Sequence, residues 1–343
     1  MSLQSDSHTY PSYDALIEDY FHRGWTDGLP IVAPQPELVS TFLDAAGLRP
    51  DQVIGELRTR SVTVTAEVVA INAVMAGCRP EYMPVVVAAT RALLSEKGNP
   101  HSTTASLGGP PHVVVVNGPV ASRLGINAGA GCFGPGWRAN ATIGRALRLI
   151  IRNVLHAIPG ELDRATLSSP GRYSFCFAED EASIDWEPLH CERGLPRGSD
   201  AVTVFASWGQ IPVWADVRSA SDLGEALAAE INHRGTYGSE VVGDDVNLLI
   251  VVPRAHQQIL AESGWSKADL RSYLWEHTAP GRARADFSAG HPKGFEPGRV
   301  MLRKPEGILI VAAGGDGLPE SWLFFPHSGA AITEPVFSPG AAA

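Results

Sequence analysis

The chain has 343 residues, of which 44% are hydrophobic and 19% are charged, as in globular proteins that bury a hydrophobic core. Its formal net charge of −10 argues against general binding of nucleic acids or anionic membranes, because both need a basic face on the protein. The N-terminus lacks the pattern of a signal peptide, no apolar run is long enough for a membrane helix, and the four cysteines form no CxxC pair, so we expect a cytoplasmic protein.

Patterns in the first 200 residues predict five helices and one strand. The predicted helices are residues 14–21, 37–46, 65–76, 82–97 and 140–156. The β-branched run Val113–Val116 has the continuous apolar character of a buried strand. Residues 161–200 show no periodic pattern, and we predict that they are irregular.

Three further apolar runs predict strands in the second half of the chain, with helices between them. The predicted strands are residues 202–206, 248–252 and 308–312, and the predicted helices are residues 223–232, 256–263 and 267–277. Residues 279–299 are rich in proline, glycine and arginine and are predicted to form a long surface loop. Strands interleaved with helices favour an α/β fold with mixed sheets, flanking helices and two lobes.

We divide the chain into four parts on this basis. Residues 1–20 are an N-terminal extension, and residues 21–200 form a first α/β lobe that contains a glycine-rich loop and an arginine-bearing helix. Residues 201–337 form a second α/β lobe. Residues 338–343 are predicted to be a disordered tail.

The glycine-rich loop, Gly129–Gly136, runs directly into the predicted helix 140–156. Glycine lets backbone amides approach a ligand, and a helix N-terminus offers unpaired amides and a positive dipole end. The helix has one apolar face and one face of arginines. These arginines are Arg138, Arg145, Arg148 and Arg152. Since like charges on one helix face repel, we expect solvent, acidic partners or a bound anion to offset them.

We predict an anion-binding site where the loop enters the helix, with a solvated helix face after a flexible turn as the alternative. The predicted ligand-binding residues are Asp27, Gly134, Gly136, Arg138, Asn140, Thr142 and Arg145. The loop matches neither GxxxxGK[ST] nor GxGxxG. It therefore indicates neither a nucleoside triphosphatase nor a Rossmann cofactor site, and the identity of any cofactor stays unknown.

Two cysteines are candidates for a catalytic nucleophile or a redox thiol. Cys132 lies in the glycine-rich loop, where the helix N-terminus and Arg138 would lower the pKa of its thiol. Cys78 follows the predicted helix 65–76, where the helix dipole and Arg79 act on the pKa in opposite directions. Buried, inert cysteines are the alternative for both positions.

The segment 179–192 is rich in acidic residues and contains a histidine. Glu179 and His190 are candidate proton-transfer groups. The spacing matches no standard zinc pattern, and Pro188 excludes a regular Glu-x-x-His helix, so we predict no metal site. A solvated acidic loop is one alternative, and an acidic partner for the arginine-bearing helix is another.

Six segments of the chain carry a resemblance to a known family. They are Trp25–Pro30, Met75–Tyr82, Gly134–Arg145, Phe175–Glu179, Trp186–His190 and Gly264–Asp269. Together they resemble a family of largely uncharacterised bacterial proteins, often encoded beside small thiol or selenol proteins with a UGSC motif. The resemblance implies an enzyme, or a subunit of a two-component enzyme with redox or sulfur chemistry, and it favours Cys78 over Cys132.

These patterns lead us to expect an enzyme, or a subunit of one, that converts a small anionic metabolite by thiol-assisted redox, lyase or hydrolytic chemistry. A non-catalytic binding or scaffold subunit is one alternative. A metal-dependent hydrolase or lyase that uses His190 is another. We expect a homo-oligomer that binds neither nucleic acid nor membrane, and the resemblance implies a small thiol or selenol protein as a partner.

Overall fold

The computed structural model describes residues 3–234, 246–278, 302 and 304–337. The helices are α1 (Tyr13–His22), α2 (Pro36–Ala45), α3 (Ala66–Ala76), α4 (Met83–Leu94), α5 (Pro100–Thr104), α6 (Pro119–Leu124), α7 (Arg138–Asn153), α8 (Leu189–Glu192), α9 (Ala220–Arg234), α10 (Arg254–Glu262) and α11 (Lys267–His277). The strands are β1 (Val53–Leu57), β2 (Val62–Thr65), β3 (His112–Asn117), β4 (Cys176–Ala178), β5 (Ala201–Trp214), β6 (Leu248–Val252), β7 (Ile308–Ala312), β8 (Glu320–Pro326) and β9 (Ile332–Pro335). These elements confirm the predicted α/β class.

One mixed sheet organises the molecule, with the strand order β4-β3-β5-β8-β6-β7 and with β9 also paired to β5. Strand β3 is parallel to β4 and β6 is parallel to β7, whereas the other pairings in this sheet are antiparallel. The long strand β5 pairs through residues 201–206 with β3 and through residues 207–214 with β8. Strand β5 therefore joins the strands of the first half of the chain to those of the second half.

The two halves of the sheet repeat one topology. In each half a helical connection joins two parallel strands, and a third strand pairs antiparallel with the first, as β3, β4 and β5 do in one half and β6, β7 and β8 do in the other. The residue after the second strand makes the same backbone bond in both halves. The N–H of Glu179 donates to the carbonyl of Val116 at 3.0 Å, and that of Ala313 donates to Val252 at 3.2 Å. This pseudo-twofold arrangement has the pair β5–β8 at its centre.

The sheet curls until its two edge strands meet near their carboxyl ends. The N–H of Asp180, just after β4, donates to the carbonyl of Ala312 at the end of β7 at 2.7 Å. The inside of the curl is a core of buried apolar side chains, and Phe133 of the glycine-rich loop packs into it. The ring centroids that lie 4.9 to 5.5 Å from that of Phe133 belong to Phe175, Phe177, Trp322 and Phe324. The loop thus fills the curl of the sheet.

Helices cover the outside of the sheet in both halves. On one side α3, α4 and α7 pack together in the largest hydrophobic cluster, and on the other α9, α10 and α11 pack with β6 and β7. The predicted amphipathic helix is confirmed in α7. Its apolar face, which includes Ile143, Leu147 and Ile150, is buried. Its arginine face is therefore turned away from the core.

The differences between predicted and observed elements concern short helices, short strands and strands of mixed composition, and the short helices α5 and α6 were not predicted. The segment 161–200, predicted to be irregular, contains β4 and α8, and the strands β1, β2, β8 and β9 were not predicted. Strand β4 has three residues, which is too short for a periodic pattern. The predicted loop 279–299 and the tail 338–343 lie outside the described residues. Across the part of the chain that is described, no helix is both long and apolar enough to cross a bilayer.

Candidate functional site

The glycine-rich loop is held by the protein's own polar groups. The buried side chain of Asn140, in the first turn of α7, accepts the amide of Asn127 at 2.8 Å and donates to the carbonyls of Asn127 and Cys132 at 3.0 and 3.2 Å. Gly136 has a φ of +113°, a conformation that L side chains rarely adopt. Gly134 and Gly136 are exposed. Asn140 therefore anchors the loop to the helix.

Arg138 and Thr142, predicted as anion ligands, contact backbone groups. Arg138 donates through Nε to the carbonyl of Gly77 at 3.0 Å and through Nη2 to that of Cys78 at 3.3 Å. The hydroxyl of Thr142 donates to the carbonyl of Arg138 at 2.8 Å within the helix. Arg138 thus ties the start of α7 to the turn after α3.

Arg145 and Asp27 form a bidentate ion pair. Arg145 Nε lies 2.8 Å from Asp27 Oδ2 and Arg145 Nη2 lies 2.9 Å from Oδ1, and the two side chains are 14% and 6% exposed. Arg145 also donates to the carbonyl of Pro30 at 2.9 Å. Asp27, predicted as a ligand contact, is therefore the counter-ion of Arg145, and the pair fixes the segment Trp25–Pro30 against α7.

One turn farther along α7, two arginines share one carboxylate. Arg148 Nη2 lies 3.1 Å from Asp163 Oδ2, and Arg172 Nη2 contacts the same oxygen. All three side chains are nearly buried, with 12%, 11% and 1% exposed for Arg148, Arg172 and Asp163. Burial alone would raise the pKa of Asp163, but the hydrogen bond and charge of Arg172, with the charge of Arg148, hold that pKa below its usual value. The carboxylate of Asp163 is thus the counter-ion of both Arg148 and Arg172.

These two arginines also have unsatisfied nitrogens. Within the described ranges, Arg148 Nη1, Arg172 Nε and His112 Nε2 are buried without a hydrogen-bond partner. All three residues line a small cavity of about 10 Å³, which is about the space that one water molecule occupies. Burial, with the charges of Arg148 and Arg172, lowers the pKa of His112 to about 3. The imidazole is therefore neutral at pH 7, and the two guanidinium groups are the local positive charges.

Arg148 and Arg172 also line a larger surface groove of about 650 Å³, which we call the arginine groove. Its charged lining residues are Asp27, Arg148, Arg152, Asp163, Arg164 and Arg172. Arg152 donates to the carbonyl of Gly24 at 3.0 Å, and Arg164 donates to that of Glu161 at 3.1 Å. Neither Arg152 nor Arg164 pairs with a carboxylate among the described residues. The arginine groove is therefore lined by four guanidinium groups and two carboxylates, and both carboxylates are already in ion pairs.

The acidic segment 179–192 does not neutralise the arginine face of α7, whose carboxylate partners are Asp27 and Asp163. It forms a separate ionic cluster with α11. Lys267 Nζ lies 3.0 Å from Glu192 and 3.7 Å from Glu179, and Arg271 lies 2.6 Å from Glu192. The structural alternative to an anion site, in which this segment pairs with the arginine face, is therefore not observed.

Glu179 and His190 lie in this same buried cluster. Glu179 accepts from Asn117 Nδ2 at 2.6 Å and from the amide of Leu189 at 2.8 Å, and burial raises its pKa although Lys267 opposes the shift. His190 is fully buried with Nδ1 at 3.7 Å from Glu181, and burial lowers its pKa. The structure thus brings the two predicted proton-transfer groups into one cluster, near the carboxyl end of β4.

The thiols of all four cysteines are harder to ionise than a free thiol. Burial raises the pKa of Cys78 and of Cys132 to about 12, and the charge of Arg138 offsets this only partly at Cys78. Burial also raises the pKa of Cys176 and of Cys191. The predicted lowering of the Cys132 pKa by the helix N-terminus is therefore outweighed by burial.

Several groups of the site were not predicted from the sequence. Asp163 and Arg172 fall in the segment predicted to be irregular, and His112 stands alone before an apolar run. Lys267 lies in the resembling segment Gly264–Asp269, for which no functional residue was predicted. The tertiary fold brings Asp163, Arg172 and His112 next to α7, and it brings Lys267 next to Glu179. In the described part of the chain, no three His, Cys, Asp or Glu side chains come together as candidate metal ligands.

The arginine groove opens to the surface and contains two guanidinium groups, those of Arg152 and Arg164, that have no carboxylate partner among the described residues. Comparison with family models, with curated proteins and with solved structures finds no match to this chain. The chemistry of the groove is therefore what indicates its function.

Proposed function

We propose that the chain binds a small anionic metabolite, a carboxylate or phosphate compound, in the arginine groove. The observation that carries this proposal is the excess of positive charge in the groove: four arginines line it with two carboxylates, and neither Arg152 nor Arg164 pairs with a carboxylate among the described residues. A bound anion would offset this excess of positive charge. Planar guanidinium groups also match the oxygens of carboxylates and phosphates.

This proposed site lies farther along α7 than the sequence indicates. Arg138 and Arg145 are held by backbone carbonyls and by Asp27, so the protein itself relieves the charge repulsion in the first turns. Arg148 and Arg152 follow one and two turns after Arg145 and line the groove. The groove volume of about 650 Å³ lies within the roughly 300–1,000 Å³ that small-molecule sites occupy.

We further propose that any thiol used in the reaction comes from a partner protein. The raised pKa values of Cys78 and Cys132 oppose a thiolate on this chain at neutral pH. In such a two-component enzyme, this chain would hold the anion and a small thiol or selenol protein would supply the nucleophile. This division of roles agrees with the family resemblance and with the raised pKa values of the two thiols. A non-catalytic binding subunit would bind the anion in the same way but show no turnover with any partner.

Phosphate and citrate are suitable probes for the groove. At constant ionic strength, held with sodium chloride, each probe that binds should raise Tm in a saturable way, and calorimetry should give its Kd. Replacing both Arg152 and Arg164 with alanine should weaken binding at least tenfold, about 1.4 kcal/mol. These two arginines have no carboxylate partner, so their removal leaves the ion pairs of the fold intact.

Arg123→Ala is the matched control for this experiment. Arg123 is a surface arginine outside the groove, and its guanidinium lies 3.0 Å from Asp200. This variant should bind both probes as the wild type does. Equal affinity in the Arg152 and Arg164 double variant and in the wild type would overturn the proposal, as would the lack of saturable binding by either probe.

A further inference from the structure

A serine and a histidine outside the arginine groove form a close pair at one end of the sheet. Ser106 lies in the loop before β3, and His327 directly follows β8. The hydrogen bond between them is 2.8 Å from Ser106 Oγ to His327 Nε2. Ser106 is half-buried and His327 is buried. A hydroxyl within hydrogen-bond reach of an imidazole is the arrangement that activates a serine nucleophile.

A third group contacts the other ring nitrogen of the histidine and favours one tautomer. His327 Nδ1 lies 3.0 Å from Ser328 Oγ, and Ser328 Oγ donates to Ser102 Oγ at 3.4 Å. Because the hydroxyl proton of Ser328 is directed to Ser102, its oxygen accepts the Nδ1 proton of His327. Nε2 is then free to accept the proton of Ser106. Burial lowers the pKa of His327 to about 4, so the ring is neutral at pH 7.

A β-bulge holds the plane of the imidazole. The pairing of β5 with β8 shifts register between Ser207 and Gly209, so Trp208 is the extra residue of the bulge. Its ring stacks on that of His327, with centroids 5.0 Å apart and an interplanar angle of 15°. Bulges commonly redirect a side chain beside an active site. Here the bulge places an aromatic ring against the imidazole of His327.

The surroundings of Ser106 suit a negative charge on its oxygen and an apolar substrate beside it. The amide of Gly108 donates to Ser106 Oγ at 2.9 Å. Trp208 also covers Gly108, where a Cβ would lie 3.0 Å from the ring, so a larger residue there would crowd the indole. Leu107 and Trp208 are 71% and 40% exposed. Leu107 is adjacent to the serine in the chain and Trp208 stacks on His327, so both offer apolar surface near the pair.

We propose that Ser106 and His327 are the nucleophile and the general base of an esterase site for small carboxylic esters with an apolar acyl group. This site is separate from the arginine groove and does not depend on the function proposed there. Ser106 Oγ attacks the ester carbonyl carbon and forms a new C–O bond while its proton moves to His327 Nε2. The bond to the alcohol then breaks, and the alcohol leaves with the proton from Nε2.

Water completes the reaction by the same route. Its oxygen bonds to the acyl carbon and its proton passes to His327 Nε2. The bond between the acyl carbon and Ser106 Oγ breaks, the carboxylic acid leaves, and Nε2 returns the proton to the serine. The two steps together consume one ester and one water molecule and regenerate the side chains of Ser106 and His327, as general base catalysis by a histidine requires.

The full chain can be tested with an alkyl fluorophosphonate and with p-nitrophenyl acetate as probes. The fluorophosphonate should modify Ser106, as shown by peptide mass mapping. Ser106→Ala and His327→Gln should lose this modification and should slow ester hydrolysis at least about 100-fold, since general base catalysis contributes roughly 10²–10⁴-fold. Ser122→Ala, at an exposed serine of α6, is the matched control and should react as the wild type does.

Two results would overturn the proposal: an unmodified Ser106 in the wild-type chain, or wild-type ester hydrolysis in Ser106→Ala. Should Ser106→Ala fail to fold, as judged by circular dichroism, Ser106→Cys tests the same geometry. Since His327 would accept the thiol proton, this variant should be alkylated by iodoacetamide at pH 7.5 at position 106 faster than at any native cysteine. A thiol at position 106 that reacts no faster than the buried cysteines would refute the pairing.

Discussion

The ion pair of Arg145 and Asp27 stabilises the fold because both charges are largely removed from water. Asp27→Asn leaves the buried guanidinium without a counter-ion, and we expect it to lower the free energy of unfolding by about 3 kcal/mol. Urea denaturation measures this change. Asp51→Asn is the matched control, because its pair with Arg49 has side chains 69% and 56% exposed. It should change stability by less than about 0.5 kcal/mol, and an equal loss in both variants would contradict the assignment.

The cysteines provide a second test at the residue scale. With a pKa of about 12 at Cys78 and Cys132, fewer than about one thiol in 10,000 is ionised at pH 7.5. We therefore expect iodoacetamide to alkylate both residues far more slowly than glutathione in the same solution, as followed by peptide mass spectrometry. In urea both should react at the glutathione rate. Rapid labelling of either cysteine in the folded protein would restore it as a nucleophile.

At the scale of elements, the glycine-rich loop supports the sheet by filling its curl. Phe133 contacts the rings of Phe175, Phe177 and Phe324, so Phe133→Ala leaves a cavity among them. We expect the free energy of unfolding to fall by about 3 kcal/mol in urea denaturation. Phe337→Ala is the control, since that ring is 66% exposed, and it should have little effect. A stable Phe133→Ala protein would show that the loop is dispensable for packing.

The longer helices and the apolar strands could be predicted from the sequence because their patterns are local, whereas the short helices α5, α6 and α8 could not. The alternation of isoleucines, leucines and arginines places α7 and its two faces, and continuous apolar runs place β3, β6 and β7. Strand β8 has the sequence ESWLFFP, in which polar residues at one end interrupt the apolar run. It becomes a central strand only because β5 and β6 lie on either side of it.

The candidate site was predicted only in part, because local patterns do not show contacts between distant residues. The crowding of arginines on α7 correctly indicated that something must offset their charge. Which group offsets it depends on contacts between distant parts of the chain: Arg145 meets Asp27, 118 positions away. Asp163 and Arg172 lie in a segment without periodic pattern. Burial of Cys132 likewise follows from the curl of the sheet and not from its neighbours in the sequence.

On the scale of the whole molecule, charge is unevenly distributed. The chain has a formal net charge of −10, yet the arginine groove has more guanidinium groups than carboxylates. A polyanion that reached the groove would also lie against the acidic surface around it and be repelled there, whereas a small anion interacts only with charges within about 10 Å of it. This distribution favours a small metabolite over a nucleic acid as the ligand of the groove.

The pseudo-twofold sheet bears on whether the two predicted lobes fold separately. Strand β3 pairs with β5 at six positions, from His112 opposite Ala206 to Asn117 opposite Ala201. Val202 and Val204 of β5 also belong to the hydrophobic cluster that contains α3, α4 and α7. A fragment of residues 1–200 would therefore expose the hydrogen-bonding edge of β3 and part of its core.

We expect this fragment, expressed alone, to show no cooperative thermal transition in calorimetry, whereas the full chain should unfold in a single transition. Co-expression with a fragment of residues 201–343 should restore folding, because β5 then returns to its place between β3 and β8. If residues 1–200 unfold cooperatively on their own, the first lobe is an independent domain and β5 is not needed to complete it. The outcome thus distinguishes two domains that share a sheet edge from one domain built around a common central strand.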